Sequence, residues 1–205
     1  NNILVMKEFV ETATETFFTR LEVSGELDIR KTQDALSTLL PPDATINIIP
    51  KRKKDIVIMV TREHHCLSDL LVRHYFNELH ANIKAVIGNY DHLETFTRKF
   101  NIPYHHISHE QPDRPSFEAA IQETLQMYNP DYLVLAKFMR ILSPEFVSQY
   151  PERIINIHHS FLPAFKGANP YKKAFERGVK LIGATAHLVN NDLDEGPIIT
   201  QKIIP

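Results

Sequence analysis

The spacing of apolar and polar residues changes character once along this chain, near residue 54. Residues 1–50 read strand, strand, helix, strand. Val5 to Val10 and Thr16 to Val23 are the first two strands, joined by the polar turn Thr12-Ala13-Thr14-Glu15. The second alternates, with Phe17, Thr19, Leu21 and Val23 on one side and Phe18, Arg20 and Glu22 on the other. That period of two predicts a half-buried strand. Asp28 is placed to cap a helix running to Leu40, with Ile29, Thr32, Ala35, Leu36, Leu39 and Leu40 near one stripe. Pro41-Pro42 stops it, because proline lacks the N–H a helix needs. Ile46 to Ile49 predicts a third strand. Pro50 and the basic run Lys51-Arg52-Lys53-Lys54 mark a boundary, with residues 51–54 as a solvated linker. This order predicts a small α+β unit over residues 1–50 with an antiparallel sheet.

From residue 55 strands alternate with helices. Asp55 to Val60 is continuously apolar after its first residue, as expected of a strand covered on both faces. A helix follows over Leu67 to Leu79, then a strand over Ile83 to Ile87 and a helix over His92 to Phe100. Tyr104 to Ile107 predicts a short strand, and Ser116 to Tyr128 a helix started at Pro115. Tyr132 to Ala136 is a strand, and Pro144 to Tyr150 a helix capped by Ser143. Ile154 to His158 is a strand. Asn169 and Pro170 read as the cap and first residue of a helix to Arg177. Leu181 to Val189 and Ile198 to Ile204 end the chain as two strands joined by a turn at Asp192–Gly196. The expectation for residues 55–205 is an α/β fold with a doubly wound, mostly parallel sheet and an antiparallel ending.

Composition narrows the function classes. With 43% hydrophobic and 23% charged residues, the chain has the make-up of an ordinary globular protein. A net charge of −2 leaves no footprint for a nucleic-acid partner. No apolar run reaches the ~18 residues of a membrane span, and no leader opens the chain, so a cytoplasmic location is expected. The single cysteine, Cys66, excludes a disulfide framework and reads as a buried small side chain. Asn1-Asn2-Ile3-Leu4-Val5 enters strand-like sequence directly, and the chain stops as an apolar strand finishes, which reads as part of a longer protein. The six glycines form no G-x-G-x-x-G, and no Gly-Lys-Ser/Thr occurs, so a nucleotide cradle is not expected.

The chemistry concentrates in Ile154-Ile155-Asn156-Ile157-His158-His159-Ser160-Phe161-Leu162-Pro163-Ala164-Phe165-Lys166-Gly167. Asn156 and His158 are two apart on one strand and leave it on the same face. An amide in an otherwise apolar strand needs a partner, because burying it unpaired is costly. Asp194 follows in the turn Asp192-Leu193-Asp194-Glu195-Gly196-Pro197. Asn, His and Asp together suit addition to a carbonyl group. Metal chemistry is not expected, since His64-His65, His105-His106 and His158-His159 lack ligand spacing and no H-E-x-x-H occurs. Ser160 is not set in a G-x-S-x-G elbow.

Three motifs now carry a resemblance. Asn156-x-His158-x-Ser160-Phe161-Leu162-Pro163-x-Phe165-x-Gly167, Gly183-Ala184-Thr185-Ala186-His187 and Asp194-x-Gly196-Pro197-Ile198-Ile199 are similar, in this order, to the formyltransferase domains that use 10-formyltetrahydrofolate. The resemblance implies a Rossmann-type formyltransferase fold and Asn156, His158 and Asp194 as catalytic residues. It also implies a substrate-binding segment at Phe138, Met139, Arg140, Ile141 and Leu142, with Leu193. The turn Thr61-Arg62-Glu63-His64-His65-Cys66 and the run His158–Phe165 resemble the deformylase branch of the family, which hydrolyses 10-formyltetrahydrofolate to formate and tetrahydrofolate. The alternative within the family is phosphoribosylglycinamide formyltransferase, whose corresponding turn is glycine-rich. The deformylase resemblance makes residues 1–50 an ACT-like regulatory domain lacking its first strand and helix, with the last helix of the catalytic domain also absent. It implies glycine or methionine as effectors, a homo-oligomer, and no cofactor beyond the folate substrate.

Overall fold

The structure is a computed structural model that describes residues 2–167 and 169–204. It divides into two units, one ending at Arg52 and one beginning at Lys53. In the first, β1 (Asn2–Glu11) and β2 (Thr16–Ser24) form an antiparallel hairpin. Helix α1 (Ile29–Leu39) follows, and the Asp28 carboxylate accepts from the Lys31 N–H at 3.1 Å as its cap. The predicted strand at Ile46–Ile49 does not form. A strand exists through its ladder of hydrogen bonds, and among the described residues only β1 and β2 pair in this unit. Burial also differs from the alternating expectation, because Phe17 and Phe18, on opposite faces of β2, are both exposed.

The second unit holds β3 (Lys54–Val60), α2 (His65–Tyr75), β4 (Ala81–Gly88), α3 (Glu94–Arg98), β5 (Tyr104–His106), α4 (Arg114–Tyr128), β6 (Tyr132–Ala136), α5 (Pro144–Ser148), β7 (Ile154–His158), α6 (Pro170–Glu176), β8 (Ile182–Leu188) and β9 (Ile198–Ile204). The sheet order is β5-β4-β3-β6-β7-β8-β9. Strands β5 to β7 in that order run parallel, then β8 and β9 each run antiparallel to the neighbour before. Strand order reverses between β3 and β6, the switch point beyond whose strand ends open α/β sheets bind ligands. Both sheet faces are covered. Val57 and Met59 face Phe117, Ile121, Leu125 and Phe146 of α4 and α5. Ile56, Ile58 and Val60 face Leu67 and Leu71 of α2.

Local chemistry sets the helix ends. Helix α2 stops at Tyr75, short of the predicted Leu79, because Asn77 adopts the left-handed conformation, φ 58°, that ends helices. Asp113 caps α4 by accepting from Ser116 N–H at 2.9 Å, and Asn129 at φ 40° closes it. Ser143 caps α5, accepting from Phe146 N–H at 3.1 Å. Asn169 does not cap α6 with its side chain. Its φ of 53° departs from the extended backbone that capping uses, and Pro170 alone marks the helix start.

Candidate active site

The site is built on the antiparallel seam. Asn156 pairs with His187 and His158 with Thr185 across β7 and β8. Residues directly opposite in an antiparallel pair put their side chains on the same face. Four polar side chains, Asn156, His158, Thr185 and His187, therefore share one face. Gly183 brings β8 close, since a Cβ there would lie 2.4 Å from both Lys202 O and the Phe161 ring. Thr185 Oγ1 donates to Ser160 O at 2.7 Å and accepts from Leu162 N–H at 3.1 Å. Gln201 of β9 donates to Leu162 O at 2.9 Å. The loop after β7 is thus tied to both antiparallel strands.

The β8–β9 turn returns Asp194 over this face. Asp194 takes φ 57°, and a Cβ on Gly196 would lie 1.8 Å from Leu188 O, so the turn requires glycine there. Asp194 Oδ2 accepts from Gly167 N–H at 2.9 Å and lies 3.4 Å from His158 Nδ1. Its Oδ1 lies 3.9 Å from His187 Nε2. The His158 and Asp194 side chains are 7% and 8% exposed. His158 Nε2–H donates to the Phe165 carbonyl at 3.1 Å. The His158 ring thus lies between two oxygens, the Phe165 carbonyl and the Asp194 carboxylate.

His187 orders the amide. Its Nδ1–H donates to Leu188 O at 2.9 Å, leaving Nε2 to accept from Asn156 Nδ2–H at 3.2 Å. The amide nitrogen is thereby oriented, and its second N–H is able to donate to an oxygen facing the site. Asn156, His158 and Asp194 thus come together as one cluster. His187 completes it; it stood out in the sequence only as the end of the Gly183–His187 motif, without a catalytic role. Its partnership with Asn156 was not legible, because the alternation Gly183, Thr185, His187 says nothing of which strand lies opposite. His159 points away, against Tyr171 at 5.2 Å between ring centroids. Burial, then the neighbouring charge of His158, lowers its pKa.

The Phe138–Leu142 segment is held differently. Phe138 and Leu142 are core side chains, so only their backbone faces outward, while Met139 and Ile141 are exposed. Glu118, buried on α4, accepts from Ser143 N–H at 2.8 Å and from the Ser143 hydroxyl. Arg114 lies 3.3 Å from the same carboxylate and donates to Ile141 O at 2.7 Å. Leu193, beside Asp194, is exposed. Among the described residues no group of three His, Cys, Asp or Glu side chains is placed to share a metal ion. No helix among them is long and apolar enough to cross a membrane.

Comparison with known proteins bears on this arrangement. The formyl transferase family profile matches residues 54–205. A formyltetrahydrofolate deformylase of Haemophilus influenzae is 50% identical over 203 residues, which span 99% of this chain and 73% of that protein. That of Escherichia coli is 48% identical over 203 residues, spanning 99% and 72%. The chain belongs to the formyl transferase family, among the formyltetrahydrofolate deformylases. The crystal structure of the Pseudomonas syringae deformylase superimposes with a TM-score of 0.83 at 35% identity, over 98% of this chain and 70% of that one. A glycinamide ribonucleotide transformylase from Symbiobacterium toebii reaches a TM-score of 0.70 at 32% identity, over 75% of this chain and 74% of its own. Likeness to these three deformylases extends over both units, whereas likeness to that transformylase covers three-quarters of the chain.

Proposed function

We propose that this chain hydrolyses 10-formyltetrahydrofolate to formate and tetrahydrofolate, with water as the group that takes the formyl unit. The observation that carries the reading is the buried cluster of Asn156, His158, His187 and Asp194, in a chain alike to deformylases over nearly its whole length. In the reaction, water oxygen bonds to the formyl carbon, the N10–carbon bond breaks, and N10 takes a proton. Asn156 donates to the formyl oxygen as it becomes an oxyanion, and His187 holds the amide in place. His158, when protonated, supplies a second, charge-assisted donor once its Nε2–H exchanges the Phe165 carbonyl for substrate. In this reading Asp194, against His158 and Gly167 N–H, orients the attacking water or takes its proton. No cofactor enters these steps, because the folate is itself the substrate.

The deciding experiment incubates the protein with 10-formyltetrahydrofolate and no acceptor. Formate release supports hydrolysis, and absolute dependence on added glycinamide ribonucleotide overturns it. Transfer to an amine is not favoured, since the turn Thr61-Arg62-Glu63-His64-His65-Cys66 contains no glycine to cradle an acceptor's phosphate. The same proposal gives the first unit a regulatory role, with glycine or methionine as effectors and assembly between copies. Its support is the apolar surface of the hairpin, with Phe9, Phe17, Phe18 and Leu21 exposed. Calorimetric titration showing that neither amino acid binds would remove that part.

A further inference from the structure

The Phe165 carbonyl faces two donors. His158 Nε2–H reaches it at 3.1 Å, and the Ser160 hydroxyl lies 3.4 Å from it. The same hydroxyl lies 3.0 Å from the Ala164 carbonyl. A serine hydroxyl carries one hydrogen, so it serves one carbonyl at a time. The distances put that hydrogen on Ala164 O, because 3.4 Å is long for an O–H···O bond. Ser160 is buried, so the two acceptors compete for its hydrogen away from bulk water.

The surroundings hold this group in place and leave the hydroxyl free to turn. Thr185 is fully buried and donates to Ser160 O at 2.7 Å, which fixes the Ser160 backbone. Rotation about one side-chain bond then chooses between two neighbouring carbonyls. Phe165 has φ 58°, a left-handed conformation that a bulky residue keeps only where its surroundings impose it. Its carbonyl is therefore presented to His158 and Ser160 by a constrained backbone. The two carbonyls differ in what else serves them. Ala164 is an exposed residue, where water is at hand for its oxygen, whereas Phe165 is half-buried.

These contacts bear on the exchange that the proposed hydrolysis requires. When His158 Nε2–H turns to the substrate oxygen, Phe165 O loses its donor. A carbonyl left unpaired away from water opposes that turn. We propose that Ser160 is a positioning residue for the hydrolysis, its hydroxyl moving from Ala164 O to Phe165 O as His158 moves from Phe165 O to the substrate. Water takes over Ala164 O, and no group is left without a partner. Ser160 makes no covalent bond and gives up no proton. The inference rests on the proposed function.

Steady-state formate release from 10-formyltetrahydrofolate tests it. Ser160→Ala should lower kcat about 10-fold, the scale of one hydrogen bond, with KM nearly unchanged. In a His158→Ala background the same change should lower kcat no further, because no exchange is left to assist. Equal losses in the two backgrounds overturn the proposal and assign Ser160 to holding the loop. An unchanged kcat in Ser160→Ala also overturns it. If the wild type releases no formate, the hydrolysis reading fails, and binding still tests the exchange. In protein labelled with 15N-histidine, formate is the oxygen-bearing probe. Its titration should move the His158 Nε2 resonance, and Ser160→Ala should raise the midpoint about 10-fold. Equal midpoints, or no movement in the wild type, overturn the proposal.

Discussion

Asn156 is useful only because something else holds it. An amide on a strand rotates about its own side-chain bonds, and the His187 acceptor at 3.2 Å limits that freedom. Asn156→Ala should lower kcat for formate release by about 10²–10³, the usual cost of removing an oxyanion donor. His187→Ala should lower it by about 10–100-fold through misplacement of the amide. In the double variant the two losses should not add, because both act through one hydrogen bond. Fully additive losses in a steady-state cycle would detach His187 from Asn156. Asn156 and His158 were legible in the sequence because a period of two places them on one face of one strand. His187 was visible as a motif residue, but its role beside Asn156 was not, because the two lie on different strands and the register is a property of the fold.

At the scale of elements, two supports outside the cluster position it. Glu118 on α4 holds Ser143, the cap of α5, and with Arg114 fixes the outward backbone around Ile141. Glu118→Ala leaves buried donors without an acceptor and should cost about 1–3 kcal/mol of stability. Urea unfolding measures the cost, and a loss near zero would show water replacing the carboxylate. Gly196→Ala forces the turn away from Leu188 O and should cost about 1–3 kcal/mol. Because Asp194 rides on that turn, kcat should fall with it. Elements were legible where local signals agreed. Strand β7 was read to the residue, since Ile154, Ile155 and Ile157 bracket it and a Ser/Pro/Gly loop ends it. Ile46–Ile49 misled, since apolar β-branched residues predict a strand only where a neighbour offers a ladder.

For the molecule as a whole, the doubly wound half followed from the strand–helix alternation, while the strand order came only with the structure. Stability should depend on pH through half-buried histidines in this unit. Burial, with a further push from Arg98, lowers the pKa of His105, whose Nε2 lies 2.7 Å from Tyr128 OH. Its folded pKa lies below its unfolded value of about 6.5. The unfolded chain therefore binds the proton first, and stability is retained above about pH 6.5 and lost as pH falls towards the folded value. His159 acts in the same direction. Urea midpoints should drop between about pH 7.5 and about pH 5.5, and His105→Gln should shrink that drop. An unchanged drop would assign the effect elsewhere. The sheet order has a further consequence during protein synthesis. Along the chain the strands are made in the order β3, β4 and β5, then β6 and β7, and only afterwards β8 and β9. His187 and Asp194 lie in those last segments. A chain made only as far as β7 carries all five parallel strands but two of the four cluster residues, so synthesis reaches the whole parallel scaffold before the whole site.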